Sequence, residues 1–397
     1  MARTTGRYRQ QRAGDEKFAS FVPYPLPPRE PPLVFDDRTH ELLRDAEQKL
    51  TRLDLAGEMV PSLQWFIYGF VRKEAVVSSQ IEGTQATLID LLNFEAGASS
   101  ERQDRGDADV REVCNYLDAV LYARKQLAKL DGLPISMRLL SEAHRRLMKG
   151  VRGADKQPGE VRRSQNWIGG TRPGNAAFVP PPPEELATCL NEFEKYIHST
   201  DALPPLVRAG LVHVQFETIH PYLDGNGRIG RLLVALLLQH WKLLPAPLLY
   251  LSLYFKRHRA EYYRRLDAVR REGDWEGWTT FFLDGVSTIA EEAVGTAREL
   301  FGLVNQHRSK LLAAKKASVM AVRLLDHLPE HPILTIDRAA KLLKTTLPTT
   351  TKAIGVLEDL GILVETTGRR RDRAFSYRAY LDRLRAGTEL EARDNVN

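Results

Sequence analysis

The sequence predicts a mainly α-helical protein built from more than one domain. Apolar residues recur at helical spacing over most of residues 36–315, and only one stretch before residue 300 has the turn chemistry of a β-hairpin. Beyond about residue 315 the pattern changes to short helices followed by a basic hairpin. A chain of 397 residues suits two or three domains and can bury a sizeable core.

Taken in order, residues 1–35 are basic and then proline-rich (Pro23, Pro25, Pro27, Pro28, Pro31, Pro32). They show no periodic apolar face and read as an extended arm draped on the domain, or as a disordered one. Asp36-Asp37 can cap a first helix through Leu42, Leu43, Ala46 and Leu50. A second starts near Pro61 and carries Leu63, Phe66, Ile67, Phe70 and Val71 towards Ser78. Residues 93–109, with Gly97, Ser99, Ser100 and Gly106, read as a mobile loop, and amphipathic helices follow at about 108–130 and 136–148. Between Arg162 and Pro183, the runs Trp167-Ile168 and Ala177-Phe178-Val179 flank Pro173-Gly174-Asn175, which spells the hairpin. Helices resume at Pro183 and continue to about Lys315. The expected division is an arm at 1–35, an N-terminal helical region at 36–105, a core at 106–300 and a C-terminal domain at 315–397.

Composition excludes some classes. Two cysteines, Cys114 and Cys189, make neither a disulfide scaffold nor a metal-ligand spacing. Lys+Arg 57 against Asp+Glu 51 gives a net charge of +6, compatible with nucleic acid but not diagnostic of it. The basic start has no apolar stretch behind it, as a secretory signal would. The most apolar region, 232–255, is broken by Gln239, His240, Lys242, Pro245 and Pro247 and does not read as a membrane span. The expectation is a cytoplasmic protein with no membrane partner.

Chemistry concentrates in His220-Pro-Tyr-Leu-Asp224-Gly-Asn226-Gly-Arg228-Ile-Gly-Arg231, which runs into an apolar helix. Gly225-Asn226-Gly227 at a helix start presents backbone amides and a helix dipole to an anion. Arg228 and Arg231, three residues apart, share a face and can both reach it. Asp224 can ligate Mg²⁺, which takes one or two carboxylates beside phosphate oxygens. His220 can take a proton near neutral pH. Together these suit a triphosphate, although a Gly-Asn-Gly also spells an ordinary turn.

This string resembles the signature of the Fic family, His-x-Phe-x-Asp/Glu-Gly-Asn-Gly-Arg-x-x-Arg, and departs from it only at Tyr222. The resemblance extends over roughly residues 20–300, including Tyr250-Leu-Ser-Leu-Tyr254 and Gly273-Asp-Trp275. It implies a Fic helical core with a β-hairpin flap, and transfer of AMP from ATP, with Mg²⁺, to a Ser, Thr or Tyr hydroxyl of a protein. By that resemblance His220 is the base, Asp224 holds the metal, and Arg228 and Arg231 grip the β and γ phosphates. Gly225, Asn226, Gly227, Ile229 and Gly230 complete the nucleotide site, joined by Ile168 and Gly169 of the flap and by Tyr254 and Tyr262 near the adenine. The flap is where an extended target segment would add as a strand.

Upstream, Ser78-Ser-Gln-Ile-Glu82-Gly83 resembles the family's inhibitory helix, Ser/Thr-x-x-x-Glu-Gly/Asn. Ser78 and Glu82 are four apart on one helical face and Gly83 is placed as a stop. The resemblance pairs Glu82 with Arg231, and so implies low basal activity and self-modification when the brake is released.

The C-terminal segment, with helices ending in Thr349-Thr350-Thr351-Lys352 through Leu357 and a basic hairpin at Gly368-Arg369-Arg370-Arg371-Asp372-Arg373, resembles a winged helix, for which DNA or a second copy of the chain are candidate partners. Two alternatives stand: a nucleotide-sensing, DNA-binding regulator without transferase activity, and an enzyme that removes AMP.

Overall fold

A computed structural model describes residues 3–58, 62–97, 104–369 and 371–390. Pro61, Ser99, Ser100 and Arg370, named above, lie outside the described residues. The elements in chain order are β1 Gly6–Ala13, β2 Glu16–Pro23, α1 Asp37–Glu58, α2 Leu63–Ile81, α3 Leu88–Ala96, α4 Asp104–Leu127, α5 Met137–Leu147, α6 Pro183–His198, α7 Pro205–Ile219 and α8 Asn226–His240. They continue with α9 Ser252–Arg257, α10 Arg259–Glu272, α11 Trp275–Leu312, α12 Val319–His327, β3 Ile333–Thr335, α13 Ile336–Leu343, α14 Leu347–Asp359, β4 Val364–Glu365, β5 Ala374–Ser376 and α15 Arg378–Leu384. No helix among the described residues is long and apolar enough to cross a membrane. The chain divides into two compact units, each assembled from separated stretches of sequence.

The first unit comprises residues 1–51, 115–245 and 254–290. Its centre is α7, in which every residue from Leu206 to Ile219 is buried. A helix buried on all sides cannot show an amphipathic stripe, and here even His213, Gln215 and Glu217 are inside. α6, α8, α10 and β2 pack on α7, and α5 packs on α8.

Two expectations are corrected in this unit. The N-terminal arm is an ordered antiparallel hairpin, with Ala13 opposite Glu16 across a Gly14-Asp15 turn. Gly14, at φ +61, takes the left-handed conformation that such tight turns require. The Arg3 guanidinium anchors the start on the Glu276 carboxylate and on the Pro31 and Pro32 carbonyls. Conversely, the hairpin expected between Arg162 and Pro183 is reduced to one antiparallel bridge between Ile168 and Phe178, beyond which Pro173–Asn175 forms a 3-10 turn. Gly169 and Gly170, at φ +69 and +71, leave strand geometry immediately after the bridge. This segment is a strap rather than a ladder, and its Val179 carbonyl accepts the Phe21 N–H of β2 at 2.9 Å.

The second unit comprises residues 52–114, 246–253 and 291–397. Among the described residues, the expected loop at 93–109 is mostly helix: α3, opened by a reciprocal Thr87–Asp90 capping box, reaches Ala96, and α4 starts at Asp104. α2 buries Trp65, Phe66, Phe70 and Val71, and its Arg72 pairs with Glu95 of α3 while stacking on Tyr68. The C-terminal elements are the four helices α12 to α15 and a sheet of order β3-β5-β4, both pairs antiparallel. The apolar run at Ile333 opens as strand, and the helix starts only at Ile336, capped by the Thr335 hydroxyl.

Candidate active site

The site is built where α7 stops and α8 starts. Residues 220–225 make the reversal, with His220 at φ 50, ψ 62 and Gly225 at φ 77, ψ 5. Left-handed backbone costs a non-glycine residue roughly 1–2 kcal/mol, so His220 is held there by its surroundings. Its Nδ1 lies 3.3 Å from the Glu217 carbonyl and 4.0 Å from that residue's carboxylate. A carbonyl can only accept, so the ring proton sits on Nδ1 and Nε2 is the basic nitrogen.

Gly225 is a glycine for two reasons. Its φ is positive, and a Cβ would sit 3.0 Å from Met148 Sδ and 3.3 Å from His144 Nε2. Behind it, α8 opens with first-turn amides that have no intrahelical acceptor, at the positive end of the helix dipole. Arg228 and Arg231 are both buried, at 1% and 4% exposure. Arg228 Nη2 is 3.9 Å from Asp224 Oδ1, whose side chain is 42% exposed. Concentrated buried cation beside helix amides is an environment for a polyanion.

Among the described residues there is no cluster of three His, Cys, Asp or Glu side chains that could hold a metal alone. Asp224 is a single, partly exposed carboxylate with one oxygen on the Gly225 N–H at 2.6 Å. That donor set fits an Mg²⁺ ion whose other ligands are phosphate oxygens and water.

Several expected ligand residues have other work. The Asn226 carboxamide accepts the Tyr222 N–H at 2.8 Å and donates to the Tyr222 carbonyl at 2.7 Å, so it shapes the loop from inside. Ile229 is fully buried, and a Cβ on Gly230 would meet Glu217 Oε1 at 2.3 Å, so that glycine lets α8 approach α7. Tyr262 is 1% exposed among Phe255, Trp278 and His213, and its hydroxyl bonds His213 Nε2 at 2.8 Å. It supports α8 through the His213–Gly230 carbonyl contact. Tyr254 donates to Asp284 and lines a cavity of about 520 Å³ with His258, Glu261 and Arg265, to which no signature residue contributes.

Other residues at the site escaped the sequence reading. His144 of α5 stacks face to face on Tyr222, with centroids 4.0 Å apart. Its Nδ1 accepts the Gly159 N–H at 2.8 Å, so Nε2 donates to the Asp224 carbonyl at 2.9 Å. Burial pushes His144 down to about 4, which keeps it neutral. The Tyr222 hydroxyl, the one departure from the signature, finds the Ser141 hydroxyl at 3.1 Å. Arg270 reaches the Glu217 carbonyl while stacking 4.0 Å over Phe178 of the strap. A histidine on the apolar stripe Leu140, Ala143, Leu147 was the signal for His144; no local pattern marks Arg270.

Residues 40–125 match the family described as Fic/DOC family N-terminal, and residues 134–238 match the Fic/DOC family. This chain thus carries a Fic/DOC N-terminal domain and a Fic/DOC domain. The Fic match covers α5 through most of α8, including the whole signature. Among curated relatives, Protein adenylyltransferase Fic of Aedes aegypti is 35% identical over 260 residues, 62% of this chain and 48% of the relative. That of Drosophila grimshawi is 34% identical over 157 residues, 39% and 29% respectively. The Fic chain described here thus spans about half or less of the length of these relatives. A Fic family protein from Desulfovibrio desulfuricans G20 superposes with a TM-score of 0.57 at 20% identity, over 87% of this chain and 97% of the other. A Fic domain containing signaling protein from Bacteroides thetaiotaomicron VPI-5482 gives 0.51 at 19%, over 64% and 95%. These structural likenesses establish a mainly helical Fic fold.

Proposed function

We propose that this protein is a protein adenylyltransferase, moving AMP from ATP to a Ser, Thr or Tyr hydroxyl. The observation that carries the reading is His220 with Nε2 as its basic nitrogen, at the mouth of a helix N-terminus that buries two arginines. His220 Nε2 takes the acceptor's hydroxyl proton as the oxygen attacks the α-phosphorus. The bond from the α-phosphorus to the bridging oxygen breaks, and pyrophosphate leaves. Arg228, Arg231 and the α8 amides hold the β and γ phosphates and take up the developing charge. Asp224 would hold Mg²⁺, which when bound neutralises phosphate charge. The names of the curated relatives support AMP transfer.

Glu82 is proposed as a brake. Ser78 is fully buried in the last turns of α2, and Gly83 at φ +94 ends the helix directly after Glu82. The strap is the proposed docking edge for the target. The C-terminal helices and β3-β5-β4 sheet are proposed as a winged helix, with exposed Thr351 and Lys352 on α14 available to phosphates, whereas Thr350 is buried. A salt-dependent shift of duplex DNA by the full chain tests that part.

The test of the activity is labelling with ATP carrying radiolabel at the α or the γ phosphate, in Mg²⁺, for wild type, Glu82→Gly and His220→Ala. Addition of one AMP from α-labelled ATP, strongest in Glu82→Gly, is expected. Label from the γ position alone would make the protein a kinase. Nucleotide binding without label on the chain or on added proteins would favour the sensor.

A further inference from the structure

We infer that Arg162 and Asn166 are positioning residues that impose the left-handed backbone of His220 and so aim its imidazole. The inference rests on His220 being the base of the proposed AMP transfer. Local sequence does not favour the observed geometry. His220 is not glycine, and Pro221 after it steers the preceding residue towards extended backbone. α7 holds the His220 N–H on the Phe216 carbonyl at 2.9 Å and meets the ring Nδ1 with the Glu217 carbonyl at 3.3 Å, but neither contact sets the orientation of the following peptide.

That peptide is fixed from the 162–166 segment. The His220 carbonyl accepts Arg162 Nε at 3.0 Å and Asn166 Nδ2 at 3.3 Å. Arg162 Nη2 reaches the Ile219 carbonyl at 3.4 Å, and the Arg162 backbone N–H donates to Pro221 at 2.9 Å. Asn166 Nδ2 also donates to Tyr222 at 3.0 Å. Carbonyls of four successive residues, 219 to 222, are thereby turned towards one short segment.

The nature of Arg162 argues for direction rather than neutralisation. It is 2% exposed, and its remaining acceptors are again carbonyls, of Ser164 at 3.1 Å and Pro181 at 2.6 Å. A cation near the end of α7 would suit the helix dipole from the surface. Only a planar, forked donor buried against the reversal can hold adjacent carbonyls in fixed directions. A general base must sit within hydrogen-bond reach of its proton, and a shift of about 1 Å can cost 10²-fold.

The experiment uses the full-length chain carrying Glu82→Gly as parent, with Asn166→Asp and Arg162→Lys added separately. Asn166→Asp keeps the volume but sets a carboxylate against two carbonyls; Arg162→Lys keeps the charge but loses the fork. Expected are a kcat for AMP transfer about 10²-fold lower and a KM for ATP within about twofold of the parent. In a crystal structure of the Asn166→Asp chain, His220 is expected outside the left-handed region. Unchanged kcat in both variants, or a raised KM with kcat intact, overturns the proposal. So does a His220 still left-handed in the variant structure. If the parent takes no label, AMP transfer fails as a reading, and the His220 backbone still decides the positioning role. Should Asn166→Asp not fold, the same structure and kinetics are read on Arg162→Lys.

Discussion

The reversal at 219–225 and the tip of the strap at 168–178 are held in opposite ways. Along the reversal, carbonyls of Ile219, His220, Pro221, Tyr222 and Asp224 each accept a donor from Arg162, Asn166, Asn226 or His144. Those donors are all buried. The strap's tip, by contrast, has one bridge pair and a turn whose Thr171 and Arg172 amides rest on the exposed Asn175 side chain. A backbone that must present fixed amides to a small ligand is pinned from behind. The tip, the proposed receiver of another chain, keeps its bonding capacity on the surface.

The sharpest way to break this contrast is to remove the base itself. His220→Ala should lower AMP transfer by about 10²- to 10⁴-fold without changing ATP affinity, as read by labelling and by calorimetric titration. Arg228→Gln and Arg231→Gln attack the anion side. Each is expected to raise KM for ATP by roughly 10- to 100-fold, the worth of a charged hydrogen bond, and equal KM values would remove both from the phosphate site.

The support beneath the reversal should also be visible in stability. His213, fully buried under α8, is pushed down to about 3 by burial, against 6.5 in the unfolded chain. The unfolded state therefore binds the extra proton first, so this contribution is complete above pH 6.5 and is lost as pH falls towards 3. Urea unfolding at pH 5 should show about 2 kcal/mol less stability than at pH 7 from this group, and His213→Gln should flatten that slope. The smallest effect is expected in the strap. Gly170→Ala sets a Cβ 2.4 Å from the Asn175 carbonyl at a φ of +71. It should reduce labelling of a protein acceptor while KM for ATP and global stability stay unchanged; a shift in KM would tie the strap to the nucleotide instead.

Legibility in the sequence follows the range of the interactions. The signature loop is local, twelve consecutive positions from His220 to Arg231 whose glycines and charges declare a helix N-terminus for anions. α7 is legible as a helix but not as the centre of the unit, because its polar residues are buried with the rest. β1 hid because most of its residues are exposed, leaving Gly14-Asp15 as the only mark of the hairpin. Arg162 and His144 act across 58 and 80 residues on backbone carbonyls of the loop, a relation no spacing rule encodes. Tyr262 shows the converse, since its place in a helix beside an aromatic cluster agrees with its near-complete burial.

The contact between Phe21 and Val179 gives the strap a front and a back. A strand edge can be satisfied only once, and the Val179 carbonyl already has its donor in β2. An incoming polypeptide is left the opposite border, beside half-exposed Trp167. If the strap is the docking edge proposed above, the N-terminal hairpin works as a jamb that closes its β2 side to an acceptor. Much of the selectivity of such an enzyme can then be written in which neighbours it has already seated, before any side chain of the acceptor is read.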